Sequence, residues 1–262
     1  MKIESVRDYR AMSSVGASIL FDAAMTKIAR GLPFNMGLAT GNTMITLYEE
    51  LAEKFNIAGA DLSLLRTWNL DEYAQTENTA VAHGHPLSYW KYMHENLFRR
   101  FTPERGFREE NAHFPNPANP NEIDSDLEAA GGIDIQLLGI GFNGHIAFNE
   151  PMSEAEISVE DFGNLPTRVL PLTEATLEQN TRLTAGGDRE LMPKFAATLG
   201  MRPILNAKQC LLLACFPEQE SQLLKMIGGG RATPALPASY LLTHPDSRIL
   251  YTADCIDLGE VL

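Results

Sequence analysis

Cysteine and tryptophan are scarce in this chain, basic residues are outnumbered, and no long apolar run occurs. The three cysteines among 262 residues, Cys210, Cys215 and Cys255, have neither the spacing of a metal-ligand set nor the even count of a disulfide framework. A reducing cytoplasm is the expected setting. Cys210 and Cys215 lie in the run CLLLACF, which reads as a buried strand, and their separation puts them on opposite faces, where they cannot chelate one metal. No stretch approaches the roughly 18 apolar residues of a membrane span. Glu4, Arg7, Asp8 and Arg10 interrupt the N-terminus where a signal peptide needs an apolar segment. With 21 lysines and arginines against 34 acids, the formal net charge is −13, and the chain repels phosphate backbones and anionic lipid. Nucleic acid and membrane are thereby excluded as partners. A small anion gathered by a few cations and backbone amides is not.

What is present is an ordinary globular composition, 44% hydrophobic and 21% charged. At about 150 residues per domain the length allows one large domain or two small ones. No internal repeat, low-complexity tract or break in composition divides the chain, so a single domain over 1–262 is the expectation. Val6, Tyr9, Met12, Val15, Ile19, Ala23 and Ile28 recur at helical steps, after Ser5 as a candidate N-cap and before Gly31 as a stop. The run FNMGLA, the turn TGNT and the helical MITLYEELAEKF then read as strand, tight loop and helix. The alternation continues. LRTWNL is a strand ending at Asp71, HPLSYWKYMHENLF a helix, IDIQLLGI a strand, and CLLLACF a strand before the helical SQLLKMI. Such alternation predicts an α/β fold, a doubly wound, mainly parallel sheet with helices on both faces.

Two connections are long for a compact domain. The stretch 114–122, FPNPANPNE, reads as surface connection. The acidic stretch 152–166 is either a linker or the start of a lid, extending over about 152–186.

In an open α/β sheet, ligands bind beyond the carboxyl ends of the strands, near the reversal of strand order. Three segments occupy such places. Thr40, Gly41, Asn42 and Thr43 join a strand to a helix, and serve either as a helix cap or as an anion cradle of backbone N–H groups and a hydroxyl. Asp71 and Glu72 follow bulky strand residues. A half-desolvated carboxylate there has its pKa raised toward a general base's range, unless it caps the next segment or pairs with a base. The loop from Gly139 to Pro151, GIGFNGHIAFNEP, brings His145 and Glu150 together around three glycines, so that imidazole and carboxylate can hydrogen-bond.

At these segments the sequence resembles the glucosamine-6-phosphate deaminase (isomerase) family, which is related to the 6-phosphogluconolactonases. The likeness runs in order through GLATGNT, NLDEYA, HPLSYWKYM, LLGIGFNGHIAFNEP and LPASYLLTHP. NGHIAFNEP discriminates, because lactonases resemble the family in the Gly-His core and usually lack the FNEP that follows. The resemblance implies a modified Rossmann-like fold and no cofactor. It also implies conversion of an amino-sugar 6-phosphate and water to a ketose 6-phosphate and ammonia. It makes Asp71 the acid/base between C1 and C2, Glu72 a residue shaping the site, His145 the group assisting ring opening, and Glu150 the carboxylate working with it. Thr40, Gly41, Asn42 and Thr43 match the phosphate cradle, with Gly144 in the catalytic loop and Arg182 supporting the phosphate.

The chain departs from that pattern in places. Asn143 stands where many relatives have Asp, so His145 loses a charged partner. Gln219, in Pro217-Glu218-Gln219-Glu220-Ser221, stands where the family usually has a phosphate-binding lysine. Lys225, Arg231 or a shifted backbone then supplies the charge, or the substrate is not a simple 6-phosphate. Of the basic cluster of allosteric relatives only Arg168 survives, so no activation by an N-acetylamino-sugar phosphate is expected. Two alternatives follow: a lactonase-like hydrolase or isomerase of altered specificity, supported by Gln219, and a non-catalytic sugar-phosphate sensor. The N-terminal helix leads straight into a strand, leaving no room for the helix-turn-helix such sensors carry. A homo-oligomer is compatible with the sequence, and no metal is expected.

Overall fold

The computed structural model describes residues 1–259. Its main sheet has seven strands: β1 (Lys2–Val6), β2 (Phe34–Leu38), β3 (Leu65–Asn69), β6 (Ala112–His113), β7 (Ile135–Gly139), β10 (Cys210–Ala214) and β11 (Ser247–Thr252). They lie in the order β1-β11-β10-β7-β2-β3-β6, and every pairing is parallel. The strands β2 and β10 are buried along their whole length because both faces of the sheet are covered. Helices α1 (Tyr9–Ile28) and α2 (Ile45–Ala58) pack on each other, and α1 also lies on β2, β10 and β11. Between them Leu20, Leu47, Tyr48, Leu51 and Phe55 are fully buried, each large side chain contributing roughly 1.5–3 kcal/mol by leaving water. The expected Rossmann-like α/β sheet is therefore present.

A second sheet was not foreseen. The strands β4 (Asp71–Thr76), β5 (Thr79–Ala80), β8 (Arg168–Pro171) and β9 (Phe195–Thr198) form an antiparallel ribbon in the order β5-β4-β9-β8. It covers its own small core of Tyr73, Val81, Phe148, Leu172 and Met192. Leu70 joins the sheets: its N–H donates to the Leu38 carbonyl of the first, and its carbonyl accepts from Leu199 N–H beside the second. Asp71 accordingly begins a strand instead of ending one.

The N-terminus also differs from expectation. Residues after Met1 extend β11 as a parallel edge strand, and the helix is capped by Asp8, whose Oδ1 accepts from Ala11 N–H at 2.9 Å, not by Ser5. The segment 152–186 carries α5 (Val159–Gly163), β8 and α6 (Glu174–Leu183). It is tied down at Thr167, whose N–H and hydroxyl both donate to Asp124 in α4 (Glu122–Ala129), and Arg202 donates to the same carboxylate.

The chain leaves β2 toward β3 and leaves β7 toward β10, so connections diverge to opposite sides of two adjacent strands. That reversal opens a crevice at their carboxyl ends. No helix among the described residues is long and apolar enough to cross a membrane.

Candidate active site

A cavity of about 480 Å³ fills the crevice. One wall is the 40–43 loop after β2. The chain turns at Gly41, whose φ of 118° is strained for a residue with a side chain, into a single 3-10 turn and then α2. Two tyrosines pin the loop's carbonyls: Tyr92 donates to Gly41 O at 2.7 Å and Tyr9 to Asn42 O at 3.1 Å. Held that way, the turn places Thr40, Gly41, Asn42 and Thr43 on the cavity wall at a helix start, where the first backbone N–H groups lack intrahelical acceptors.

The opposite wall holds Asp71, 7% exposed. Burial, with the neighbouring Glu72 carboxylate adding to it, pushes Asp71 up to about 8. Glu72 itself points away, into the start of α3 (Tyr89–Asn96), where it accepts from Tyr89 N–H, Trp90 N–H and the Ser88 hydroxyl, and from its neighbour Tyr73 N–H. Burial nonetheless pushes Glu72 up, against the pull of those four donors. The sequence expectation thus separates into two roles: Asp71 faces the cavity, and Glu72 fixes the backbone beside it.

The third wall is the loop after β7. His145 lines the cavity with its ring laid against Gly141, where a Cβ would come within 2.2 Å of the imidazole. The Asn143 amide lies between His145 and Glu150. Its Nδ2 donates to Glu150 Oε2 at 2.7 Å and its Oδ1 is 2.7 Å from His145 Nδ1, whereas Glu150 Oε1 stands 3.8 Å from that nitrogen. A carboxylate accepts only, so the amide nitrogen faces Glu150 and the amide oxygen faces His145. Nδ1 is then the protonated nitrogen, and Nε2 carries the lone pair. Burial lowers the His145 pKa, which keeps the ring neutral, and the nearby Glu150 opposes this. Gly144, at φ 87°, turns the loop and accepts from Ala238 N–H. Ala147, on the cavity wall, also has a positive φ, a left-handed conformation that is costly outside glycine.

The remaining expected residues fall differently. Gln219 reaches the cavity wall with its amide committed to backbone: Oε1 accepts from Cys215 and Phe216 N–H, and Nε2 donates to Ile140 O at 2.8 Å. It clamps the turn after β10 to the loop after β7. Arg182 lies outside the cavity, exposed, donating to Gln179 Oε1 at 3.1 Å, although Asn180, Leu183 and Thr184 beside it line the wall. Arg231 pairs with Glu154 at the surface. Neither lysine nor arginine lines the cavity among the described residues, and no group of three potential metal ligands occurs among them.

Several residues that complete the site were not singled out from the sequence, although Tyr73, Tyr89 and Phe148 lie inside the motifs NLDEYA, HPLSYWKYM and NGHIAFNEP. Tyr73, Tyr89 and Phe148 stack around its floor, with Tyr73–Tyr89 centroids 4.9 Å apart, and Asn180 Nδ2 donates to the Tyr73 hydroxyl at 2.9 Å. Thr176 donates to Glu150 Oε1 from α6. Tyr73 comes from β4 of the second sheet, Tyr89 from the start of α3, Phe148 from the loop after β7, and Thr176 and Asn180 from α6.

No protein-family model matches the chain. Glucosamine-6-phosphate deaminase of Lysinibacillus sphaericus is 35% identical over 257 residues, 96% of this chain and 98% of its own length. Glucosamine-6-phosphate deaminase 2 of Bacillus subtilis is 34% identical over 250 residues, 93% of this chain and 92% of its own. A solved monomeric glucosamine-6-phosphate deaminase of the NagB superfamily superposes with a TM-score of 0.82 at 29% identity, covering 98% of this chain and all of that one. The 6-phosphogluconolactonase of Thermotoga maritima superposes at 0.63 with 19% identity over 96% of this chain and 98% of that one, a likeness of fold alone. Identity at this level along almost the whole chain, joined to the same fold, establishes that the chain belongs to the glucosamine-6-phosphate deaminase family.

Proposed function

We propose that this chain is a cytoplasmic deaminase and isomerase acting on glucosamine 6-phosphate or an epimer, releasing ammonia and a ketose 6-phosphate. One observation carries the reading: a buried carboxylate and a neutral imidazole share one cavity with a helix-start anion cradle. His145 Nε2 takes the proton of the anomeric hydroxyl and returns a proton to the ring oxygen, opening the pyranose. Asp71 removes the C2 proton of the open aldose and delivers it to C1, while a second proton passes from the C2 amine to O1, so that the C1 aldehyde becomes a hydroxyl and the unsaturation moves to a C2 imine. Water hydrolyses that imine, leaving the C2 ketone and ammonia. Burial of Asp71 suits it to both halves of the transfer, since a carboxyl titrating at about 8 gains and loses a proton readily near neutrality. Asn143 and Glu150 orient the imidazole, and Glu72 supports Asp71.

The phosphate lies on the backbone N–H groups of the 40–43 loop and the Thr43 hydroxyl. Arg182 joins them when the lid over 152–186 closes, carried by the last turn of α6. Gln219 contributes by fixing the backbone, not by charge. Arg168, whose guanidinium donates to Asn149 Oδ1 at 2.8 Å, serves the second sheet, and the enzyme is not activated by an N-acetylamino-sugar phosphate.

The test is ammonia release from glucosamine 6-phosphate and galactosamine 6-phosphate by pure folded protein. Turnover of either supports the reading. No ammonia from both, with hydrolysis of 6-phosphogluconolactone instead, replaces it with the lactonase alternative. Binding of the sugar phosphates without any turnover makes the chain a sensor.

A further inference from the structure

Glu150 is held on both of its oxygens, and only one holder belongs to its own loop. Asn143 Nδ2 occupies Oε2 at 2.7 Å, while Oε1 accepts the hydroxyl of Thr176, 26 residues further along in the first turn of α6. Thr176 is 1% exposed. Its hydroxyl proton is directed to Glu150 because its other contact is as an acceptor: Thr173 Oγ1, the α6 N-cap, donates to it at 3.1 Å. The oxygen so occupied is also the one 3.8 Å from His145 Nδ1, where it competes with Asn143 Oδ1 at 2.7 Å for the same proton.

Resting on the deaminase reading above, we infer that Thr176 is a positioning residue for the reaction: by holding Glu150 Oε1 it keeps the neutral Asn143 as the partner of His145. Without the hydroxyl, Oε1 is left buried with one donor fewer and swings toward Nδ1. Two consequences follow. The imidazole rotates off Gly141 and misaligns Nε2, and a carboxylate replaces an amide as its partner, which raises the His145 pKa. The charged groups around His145 are Glu150 on its own loop and Asp71 across the cavity on β4, while Arg168 of β8 is turned to Asn149. None of these offsets the approach of Glu150. The tether also joins the catalytic loop to the helix that carries Asn180 and Leu183 along the cavity wall.

The experiment compares T176V, T176A, T176S and T173A with the wild-type chain by ammonia release from glucosamine 6-phosphate across pH. T176V removes the hydroxyl at constant shape, and T176A removes it with a better helix former, so a loss shared by both is not a folding defect. Both should lower kcat by about ten-fold or more at nearly unchanged KM, the effect of losing a hydrogen bond to a charged group. Both should also move the titration profile of the His145 imidazole, followed by its NMR signals, to higher pH. T176S should restore kcat and the profile, and T173A, which removes the α6 cap and the donor that directs the Thr176 hydroxyl, should lower Tm and cost less in kcat than T176V or T176A. Unchanged kcat and profile in T176V or T176A, in a wild type that turns over, overturns the inference and leaves the deaminase reading intact. A wild type without turnover overturns both.

Discussion

Asn143 presents its amide oxygen to Nδ1 of His145 at 2.7 Å, and that contact determines which imidazole nitrogen can act as a base. With the proton fixed on Nδ1, Nε2 is basic and available to the cavity. Replacing Asn143 by Asp removes the amide donor from Glu150 and sets two carboxylates 2.7 Å apart unless one is protonated. The retained carboxylate raises the His145 pKa. N143D is therefore expected to stay active with the His145 imidazole titrating at higher pH. N143L, which orients nothing, should lose about ten- to hundred-fold in kcat. Initial rates for the three proteins and the NMR titration of His145 in N143D and the wild type check both expectations.

Gly141 is the surface on which the imidazole lies. A methyl group there would meet the ring at 2.2 Å, closer than any real contact, while the backbone φ at this glycine is not in the left-handed region. The strain of G141A therefore falls first on the His145 ring, whose atoms are the nearest to the added methyl. We expect kcat to fall by about a hundred-fold, because a displacement of about 1 Å at a catalytic group costs that much, with little loss of Tm. Thermal unfolding and steady-state rates of G141A measure the two separately.

Asp71 illustrates what the sequence could and could not convey. Its place after the bulky run TWNL made a desolvated carboxylate legible, as the Gly-rich loop made His145 legible, since both sit just beyond strands with a plain apolar pattern. The antiparallel sheet that desolvates Asp71 was not legible. Its strands are short, β8 is half-exposed with Pro171 at its end, and β9 reads as FAAT, with no alternation of polar and apolar residues. Partners brought in by that sheet and by α6, such as Tyr73, Asn180 and Thr176, are consequently invisible to periodicity. Gln219 shows the reverse limit. Its position was identified, but its amide serves the backbone of two loops, a role that spacing does not encode.

The raised pKa of Asp71 is also a statement about stability. Unfolded, the group ionises near 3.8; folded, at about 8. Between those values the native state binds the extra proton, so the stability this group contributes is complete below about 4 and is lost as pH rises through about 8. Wild-type Tm should fall over that window. D71N, neutral at every pH, should be inactive yet more stable than wild type at the alkaline end by several kcal/mol, and should show a flatter dependence of Tm on pH. Equal slopes for the two proteins would mean that Asp71 is ionised in the folded chain at neutral pH.

Glu72 raises Asp71 by proximity and holds the start of α3 by accepting four hydrogen bonds. E72Q removes the charge and reverses part of that acceptor capacity. Two effects of opposite benefit are expected: Asp71 titrates lower, shifting the acidic limb of kcat/KM downward, and the helix start loses about 1–3 kcal/mol. The pH profile and urea unfolding of E72Q report them independently.

The anion end of the cavity has a specific weakness. Its wall carries hydroxyls, amides and the helix start of the 40–43 loop, and neither lysine nor arginine among the described residues. The guanidinium of Arg182 rests on Gln179, one turn back on an exposed face, while its neighbours Leu183 and Thr184 already touch the cavity. If α6 closes on substrate, Arg182 exchanges a neutral amide for a phosphate, a charge-assisted and often bidentate contact. R182A should then raise KM for glucosamine 6-phosphate by about ten-fold or more with kcat nearly constant, and should reduce the dependence of kcat/KM on salt. R182K should recover the charge but not the fork, and so restore only part of the affinity. An R182A enzyme with unaltered KM would leave the phosphate to the backbone of the 40–43 loop and Thr43. In that case T43V, which removes the hydroxyl but leaves the N–H groups, should raise KM by only a few-fold.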